Sequence, residues 1–223
     1  MIEARNLSRF DPRTATQLLN PTDYSLLGAD RVAITGSSGS GKSVFLRTLA
    51  LLDTPSTGEV LWKNAPIPHV RIPTYRSRVC YISQKPGLIE GTVEDNLRYP
   101  FSLKVFARAQ FDRQVVEQLL EKAGKTPQFI DKQSSDLSGG EAQIVALIRT
   151  LQLQPEVLLL DEPTAALDPN SSEQVEHLVS AWFAEGEGGR AYIWVSHDHD
   201  QARRMSDYQM TMHAGTLTGR QAQ

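Results

Sequence analysis

A single cysteine, Cys80, stands among 223 residues, so no disulfide can form within the chain, which fits a reducing compartment. No stretch approaches the ~18 uninterrupted apolar residues that a membrane-spanning helix needs. The first residues, Met1 to Asn6, carry no apolar core of the kind a secretory signal has. Anything the chain does at a membrane is therefore expected to be done from the side, with another protein inside the bilayer. Long basic runs are missing too, and the net charge of −3 argues against nucleic acid as a partner. Internal repeats and low-complexity tracts are likewise lacking. What remains, 40% hydrophobic and 22% charged, is the composition of an ordinary globular chain long enough to bury its own core.

Four short apolar runs read as strands: Val32 to Thr35, Val79 to Ser83, Val157 to Leu160 and Ala191 to Ser196. Continuous apolar runs suit strands covered on both faces, as in a mostly parallel α/β sheet, and ligands collect at the ends of such strands. Gly58 to Trp62 reads as a separate β element. Pro66, Pro68 and Pro73 then predict a surface connection from Ala65 to Thr74. Between residues 92 and 136 the pattern changes: Val115, Leu119 and Leu120 recur at helical spacing among charges. This predicts a helical subdomain inserted into the α/β core, completed by a further helix reaching residue 154. The polar end, Thr216 to Gln223, is expected to fray. The whole of 1–223 is read as one domain.

Gly36-Ser37-Ser38-Gly39-Ser40-Gly41-Lys42-Ser43 fits the phosphate-binding P-loop pattern. An apolar strand precedes it and a helix-like segment from Val44 to Leu52 follows, as the chemistry requires. Glycines let the backbone curl so that successive N–H groups face phosphates, and the helix start, with Val44 in its first turn, adds partial positive charge. Lys42 is placed to reach the β- and γ-phosphates, and the Ser43 hydroxyl to ligate Mg²⁺.

Val157-Leu158-Leu159-Leu160-Asp161-Glu162 is an apolar strand ending in two carboxylates. Strand alternation would aim them in different directions. Asp161 is then placed to hold Mg²⁺ through water and Glu162 to polarise an attacking water as general base. Alone this pattern is weak, since acidic residues often end strands; after a P-loop it is strong. His197 closes another apolar strand, where a neutral imidazole can contact a γ-phosphate. Taken alone, a strand-end histidine is more often merely solvated. His199, Asp198 and Asp200 beside it read as a solvated helix start rather than a metal cluster.

Leu137-Ser138-Gly139-Gly140-Glu141 opens a helix in which Ser138 and Glu141 have capping-box spacing. Two glycines leave backbone N–H groups bare, a second anion-binding helix terminus in one chain. Here the sequence resembles the ATP-binding cassette family over nearly its whole length. In order it carries the P-loop, Gln84 of the Q-loop, the Leu137 to Glu141 signature, Asp161-Glu162, Asp168 of the D-loop and His197.

The resemblance implies a P-loop NTPase core with a mostly parallel sheet, an antiparallel β element and an inserted helical subdomain. It also implies ATP and Mg²⁺ as ligands, and two copies pairing head to tail around two ATP molecules. Ser138, Gly139 and Gly140 of one copy then grip the γ-phosphate held by the P-loop of the other. Gln84 would touch Mg²⁺ or water and Asp168 would lie at the dimer seam. Phe10 best fits the early aromatic that stacks on adenine, although an aromatic near an N-terminal strand can equally be core. The sequence departs from the family at Ile144, where arginine commonly follows the signature glutamine; altered packing, not lost activity, is expected.

The segment Gln84 to Leu97, with Gly91-Thr92-Val93 and Asn96, looks like the corresponding part of exporters, and Tyr99-Pro100-Phe101 with Trp194 to Asp198 is similar to bacterial Fet-type ATPase subunits. That resemblance implies a separate membrane permease, iron or metal efflux, and a place on the cytoplasmic face of the inner membrane. Tyr99, Phe101, Leu103, Val105 and Phe106 lie where such domains receive a permease, and internal packing of the insert is the equal alternative. A soluble cassette ATPase, such as one serving iron–sulfur cluster assembly, is the alternative function. The long heptads of chromosome-structure ATPases are missing.

Overall fold

The computed structural model describes residues 1–222, with side chains through 219. Contacts group them into two compact units. The first holds residues 1–81, 156–162 and the chain from Gly188 on. Its strands are β1 (Ile2–Asp11), β2 (Thr16–Leu26), β3 (Arg31–Thr35), β4 (Thr57–Trp62), β5 (Ala65–Pro66), β6 (Val79–Ile82), β7 (Val157–Asp161), β8 (Ala191–Val195), β9 (Tyr208–His213) and β10 (Thr216–Ala222). They form an antiparallel sheet in the order β2-β1-β4-β5 and a second sheet in the order β10-β9-β3-β8-β7-β6. In the second, β3 runs parallel to β8 and β9, and β7 parallel to β8, while β10 returns antiparallel.

Residues of one parity on the parallel strands, Val32, Ile34, Leu159 and Ile193, join one core with Phe45, Leu46 and Leu49 of helix α1 (Lys42–Leu49) and with Leu7, Leu26 and Val60 of the antiparallel sheet. Residues of the other parity, Ala33, Leu158, Leu160 and Trp194, are fully buried too. This is why these strands read as unbroken apolar runs. Each buried leucine or isoleucine stabilises by about 1.5–3 kcal/mol, so both faces fix the register.

One expectation is refined here and another corrected. The proline-rich stretch from Ala65 to Thr74 lies at the surface as expected, but its prolines do not exclude regular structure: it holds β5, a 3₁₀ turn at His69–Arg71 and the start of helix α2 (Ile72–Arg76). Pro73 lies in the first turn of α2, where its missing N–H costs nothing. Tyr75 anchors that helix, donating its buried hydroxyl to the Leu49 carbonyl at 2.7 Å. The end of the chain is paired with β9 from Thr216 to Ala222 rather than frayed; its polar composition suits a sheet edge, and Gln223 lies outside the described residues.

The second unit holds residues 82–155 and 163–187. Its helices are α3 (Val93–Arg98), α4 (Arg113–Lys122), α5 (Gly139–Leu151) and α6 (Pro169–Ala184). Helix α5 packs against α3 and α6, and buries Ile144, where an arginine would have to bury its charge. Asn96, fully buried on α3, accepts the Ile89 N–H at 2.8 Å and donates to the Ile89 and Thr92 carbonyls at 3.0 Å. Arg149 of α5 donates to the Gly87 carbonyl at 2.7 Å. Together they hold the segment that follows Gln84.

Candidate functional site

In the first unit the loop Gly36 to Gly41 leaves β3 and enters α1. Gly36 has φ 146° and Gly41 φ 109°; a Cβ on the first would meet the Met212 carbonyl at 2.2 Å and on the second the Leu18 carbonyl at 2.8 Å. Both must be glycine because the backbone there is left-handed and flanked by other backbone. Ser40 is tied in by its carbonyl, which accepts the Gly215 N–H at 2.8 Å. Gly39, at φ 76°, faces open space.

Lys42 is buried and donates from Nζ to the Gly36 and Ser37 carbonyls at 2.8 and 3.0 Å, so its ammonium sits inside the curl of the loop. That same Nζ lies 3.5 Å from Glu162 Oε1. Glu162 Oε2 in turn lies 3.7 Å from Nδ1 of His197, an exposed residue in the loop that follows β8.

Strand alternation does not explain how Asp161 and Glu162 diverge, as the sequence suggested. Strand β7 ends at Asp161, and Glu162 turns out of it at φ 47°, its N–H donating to the Val195 carbonyl at 3.2 Å. The left-handed turn, uncommon for a residue with a side chain, swings the glutamate toward Lys42 and His197.

Asp161 is buried, and each of its oxygens is engaged. Ser43 donates its hydroxyl to Oδ1 at 3.0 Å and Tyr81 donates its hydroxyl to Oδ2 at 2.7 Å. Burial, and then the carboxylate beside it, push the Tyr81 hydroxyl well above its ordinary pKa, so it remains a donor. Tyr81 was missed by the sequence reading: the apolar run marked β6 as a strand but carried no sign of which hydroxyl would meet the carboxylate.

Four observations test whether the loop suits a magnesium–nucleotide. Ser40 Oγ is buried without a hydrogen-bond partner among the described residues, Gly39 is open, Lys42 supplies a cation, and Ser43 with Asp161 supplies hard oxygen donors. They fit. Phe10 stands at the end of β1 opposite Gln17, 39% exposed, its N–H donating to Ser56 Oγ.

The remaining expected site residues are in the second unit. Gln84 occupies an exposed bend just after β6, and the Ser83 carbonyl next to it accepts from Gln143 Nε2 at 3.3 Å. Ser138 caps α5 in a capping box with Glu141, whose carboxylate also receives Lys132 at 2.9 Å. Gly139 is exposed, and a Cβ on it would meet nothing within 4 Å, whereas a Cβ on Gly140 would meet Ser171 Oγ at 2.3 Å. Ser171 donates that hydroxyl to Asp168, the N-cap of α6, at 2.6 Å. Ser171 holds the Asp168 carboxylate below its ordinary pKa, first through that hydroxyl and then through its backbone N–H. Tyr99, Leu103 and Val105 are exposed, while Phe101 packs edge-on to Phe111 with ring centres 6.0 Å apart.

A largely parallel sheet with this loop at a strand end, and two carboxylates at the end of β7, define a P-loop nucleotide hydrolase. Residues 19–165 match the family described as ABC transporter. Among individual proteins, the chain is 35% identical over 203 residues to the probable iron export ATP-binding protein FetA of Escherichia coli, covering 90% of this chain and 88% of that one. It is 36% identical to the nickel import ATP-binding protein NikO of Rhodobacter capsulatus, covering 89% and 81%. Among solved structures, the dimeric bacterial ABC transporter cassette MJ0796 aligns with a TM-score of 0.87 and 25% identity, covering 100% of this chain and 98% of that one. The same cassette has been solved in a post-hydrolysis state bound to ADP and Pi, with a TM-score of 0.86. The chain belongs to the ABC transporter family and is an ATP-binding, ATP-hydrolysing member of it. Among the described residues no helix is long and apolar enough to cross a membrane.

Proposed function

We propose that the chain works in the cytoplasm, on the inner face of the membrane, as the ATPase of a transporter whose separate permease exports iron or another metal. The observation that carries the catalytic part is the cluster Lys42, Glu162 and His197 beside Ser43 and Asp161. Lys42 would neutralise the β- and γ-phosphates once its hold on the loop carbonyls is exchanged for them. Ser43, Asp161 and Gln84 would hold Mg²⁺, which supplies charge neutralisation at the phosphates. Glu162, turned out of the strand, accepts a proton from the attacking water, and His197 steadies the phosphate that leaves.

MJ0796 forms a dimer, and the open Gly139 at the head of α5 suits an anion brought by another molecule. We therefore read two copies of this chain as pairing, each offering Ser138 to Gly140 to the other's nucleotide, with Asp168 near the seam. The exposed Tyr99, Leu103 and Val105 supply an apolar surface for the permease. Export of metal rests on the likeness to FetA, while the likeness to NikO, a nickel importer, is of the same order.

Direction and chemistry are tested together. Cells lacking this chain should accumulate iron; the wild-type chain should restore the normal level and Glu162→Gln, whose purified form should hydrolyse ATP only at background, should not. Lower iron in the deleted cells would mean import. Restoration by Glu162→Gln would remove Glu162 from the mechanism.

A further inference from the structure

Tyr81 has two surroundings that point to different roles. Its ring packs, half-buried, against the core of the first unit, which any aromatic could do. Its hydroxyl meets Asp161 Oδ2 at 2.7 Å, which only tyrosine can do from this position. The second contact matters because of what else Asp161 touches. Oδ1 is the oxygen that faces Ser43, the other residue assigned to the metal, at 3.0 Å. A carboxylate at a strand end can rotate about its terminal torsion, which is broad and shallow. With Oδ2 anchored by Tyr81, that rotation is stopped and Oδ1 stays turned toward Ser43.

We propose that Tyr81 is a positioning residue of the metal site: it fixes the Asp161 carboxylate so that the ligand oxygen is presented beside Ser43. This rests on the reading of Asp161 as the metal carboxylate. Partners of this kind commonly account for roughly 10–100-fold in metal affinity. A residue that only fills the core would instead affect stability, and phenylalanine would replace it without loss.

The test uses the full chain carrying Glu162→Gln, so that ATP persists, with Tyr81→Phe or Asp161→Asn added. ATP affinity is measured in EDTA and again with saturating Mn²⁺, the bound ion being followed by its electron paramagnetic resonance signal. Tyr81→Phe should leave the affinity in EDTA unchanged and reduce the gain given by Mn²⁺ by about tenfold, with an altered Mn²⁺ spectrum. A Mn²⁺ gain within twofold of the parent would overturn the proposal, provided that Asp161→Asn loses that gain. Loss of ATP binding in EDTA would overturn it too, since the hydroxyl would then be serving the fold. If Asp161→Asn also keeps the full Mn²⁺ gain, the assignment of Asp161 itself fails, and the inference about Tyr81 falls with it.

Discussion

The two glycines that open α5 look alike in sequence and are not alike in the folded chain. Gly140 is buried, and a methyl group there would meet Ser171 Oγ at 2.3 Å, so its glycine is required by the approach of α6. Gly139 is exposed, and a Cβ there would meet nothing within 4 Å beyond its own turn of helix, so nothing in the described chain requires glycine at that point. On the proposed pairing, the reason for glycine at position 139 lies outside the chain, in a phosphate that approaches the backbone closely. Gly140→Ala is expected to lower thermal stability by about 1–3 kcal/mol, the range for overpacking a filled site. Gly139→Ala should melt within about 0.5 kcal/mol of the parent and yet lose most ATPase activity. Melting curves and hydrolysis rates of the two variants check this, and an active Gly139→Ala would remove the phosphate role of that residue. Sequence spacing could find both glycines because their order along the chain is itself the motif. It could not separate them, since the difference lies in Ser171, which is distant in sequence.

Helix starts are where the sequence was most readable, because capping is local. Ser138 with Glu141 forms the expected box, and the acidic run at Asp198 to Asp200 is a helix start as expected. The hairpins β1–β2 and β9–β10 were not found, since their pairing partners lie across register shifts and their outer faces are polar. The caps carry a pH dependence of their own. Asp198 accepts from Gln201 and Asp200, whose backbone N–H groups hold its carboxylate below the ordinary aspartate value of 3.8. Ser171 does the same for Asp168, and Thr92 does so for Asp95. A carboxylate with a lowered pKa contributes stability that is complete above the ordinary value and is lost as pH falls through the folded one. Asn at such a cap still accepts a hydrogen bond but cannot titrate. Asp198→Asn and Asp168→Asn together should therefore flatten the fall in melting temperature below pH 4, and should do so by lowering the melting temperature at pH 7 toward its acid value. Thermal melts across that range check it; an unchanged acid slope would show that other carboxylates govern it.

One end of the chemistry, Lys42 with Asp161 and Glu162, belongs to the first compact unit, and the bare helix start at Ser138 to Gly140 belongs to the second. If two copies pair as proposed, each complete site takes its phosphate loop from one chain and its signature from the other. Single variants in either part should then be inactive for different reasons. Lys42→Ala destroys the loop, and Ser138→Arg blocks the signature without touching the loop. Mixed together, they make paired molecules in which one site combines the intact loop of one chain with the intact signature of the other, while the second site carries both defects. Random pairing of equal amounts puts half the molecules in this mixed state, so about a quarter of wild-type activity should return if the sites act independently. A site completed within a single chain allows no such rescue, because every chain in the mixture is defective in its own site. Hydrolysis measured on each variant and on their mixture separates the two cases without any permease present. The mixture staying at background, while each variant still folds and Ser138→Arg still binds ATP, would put the whole site in one molecule and leave the open Gly139 to some other partner.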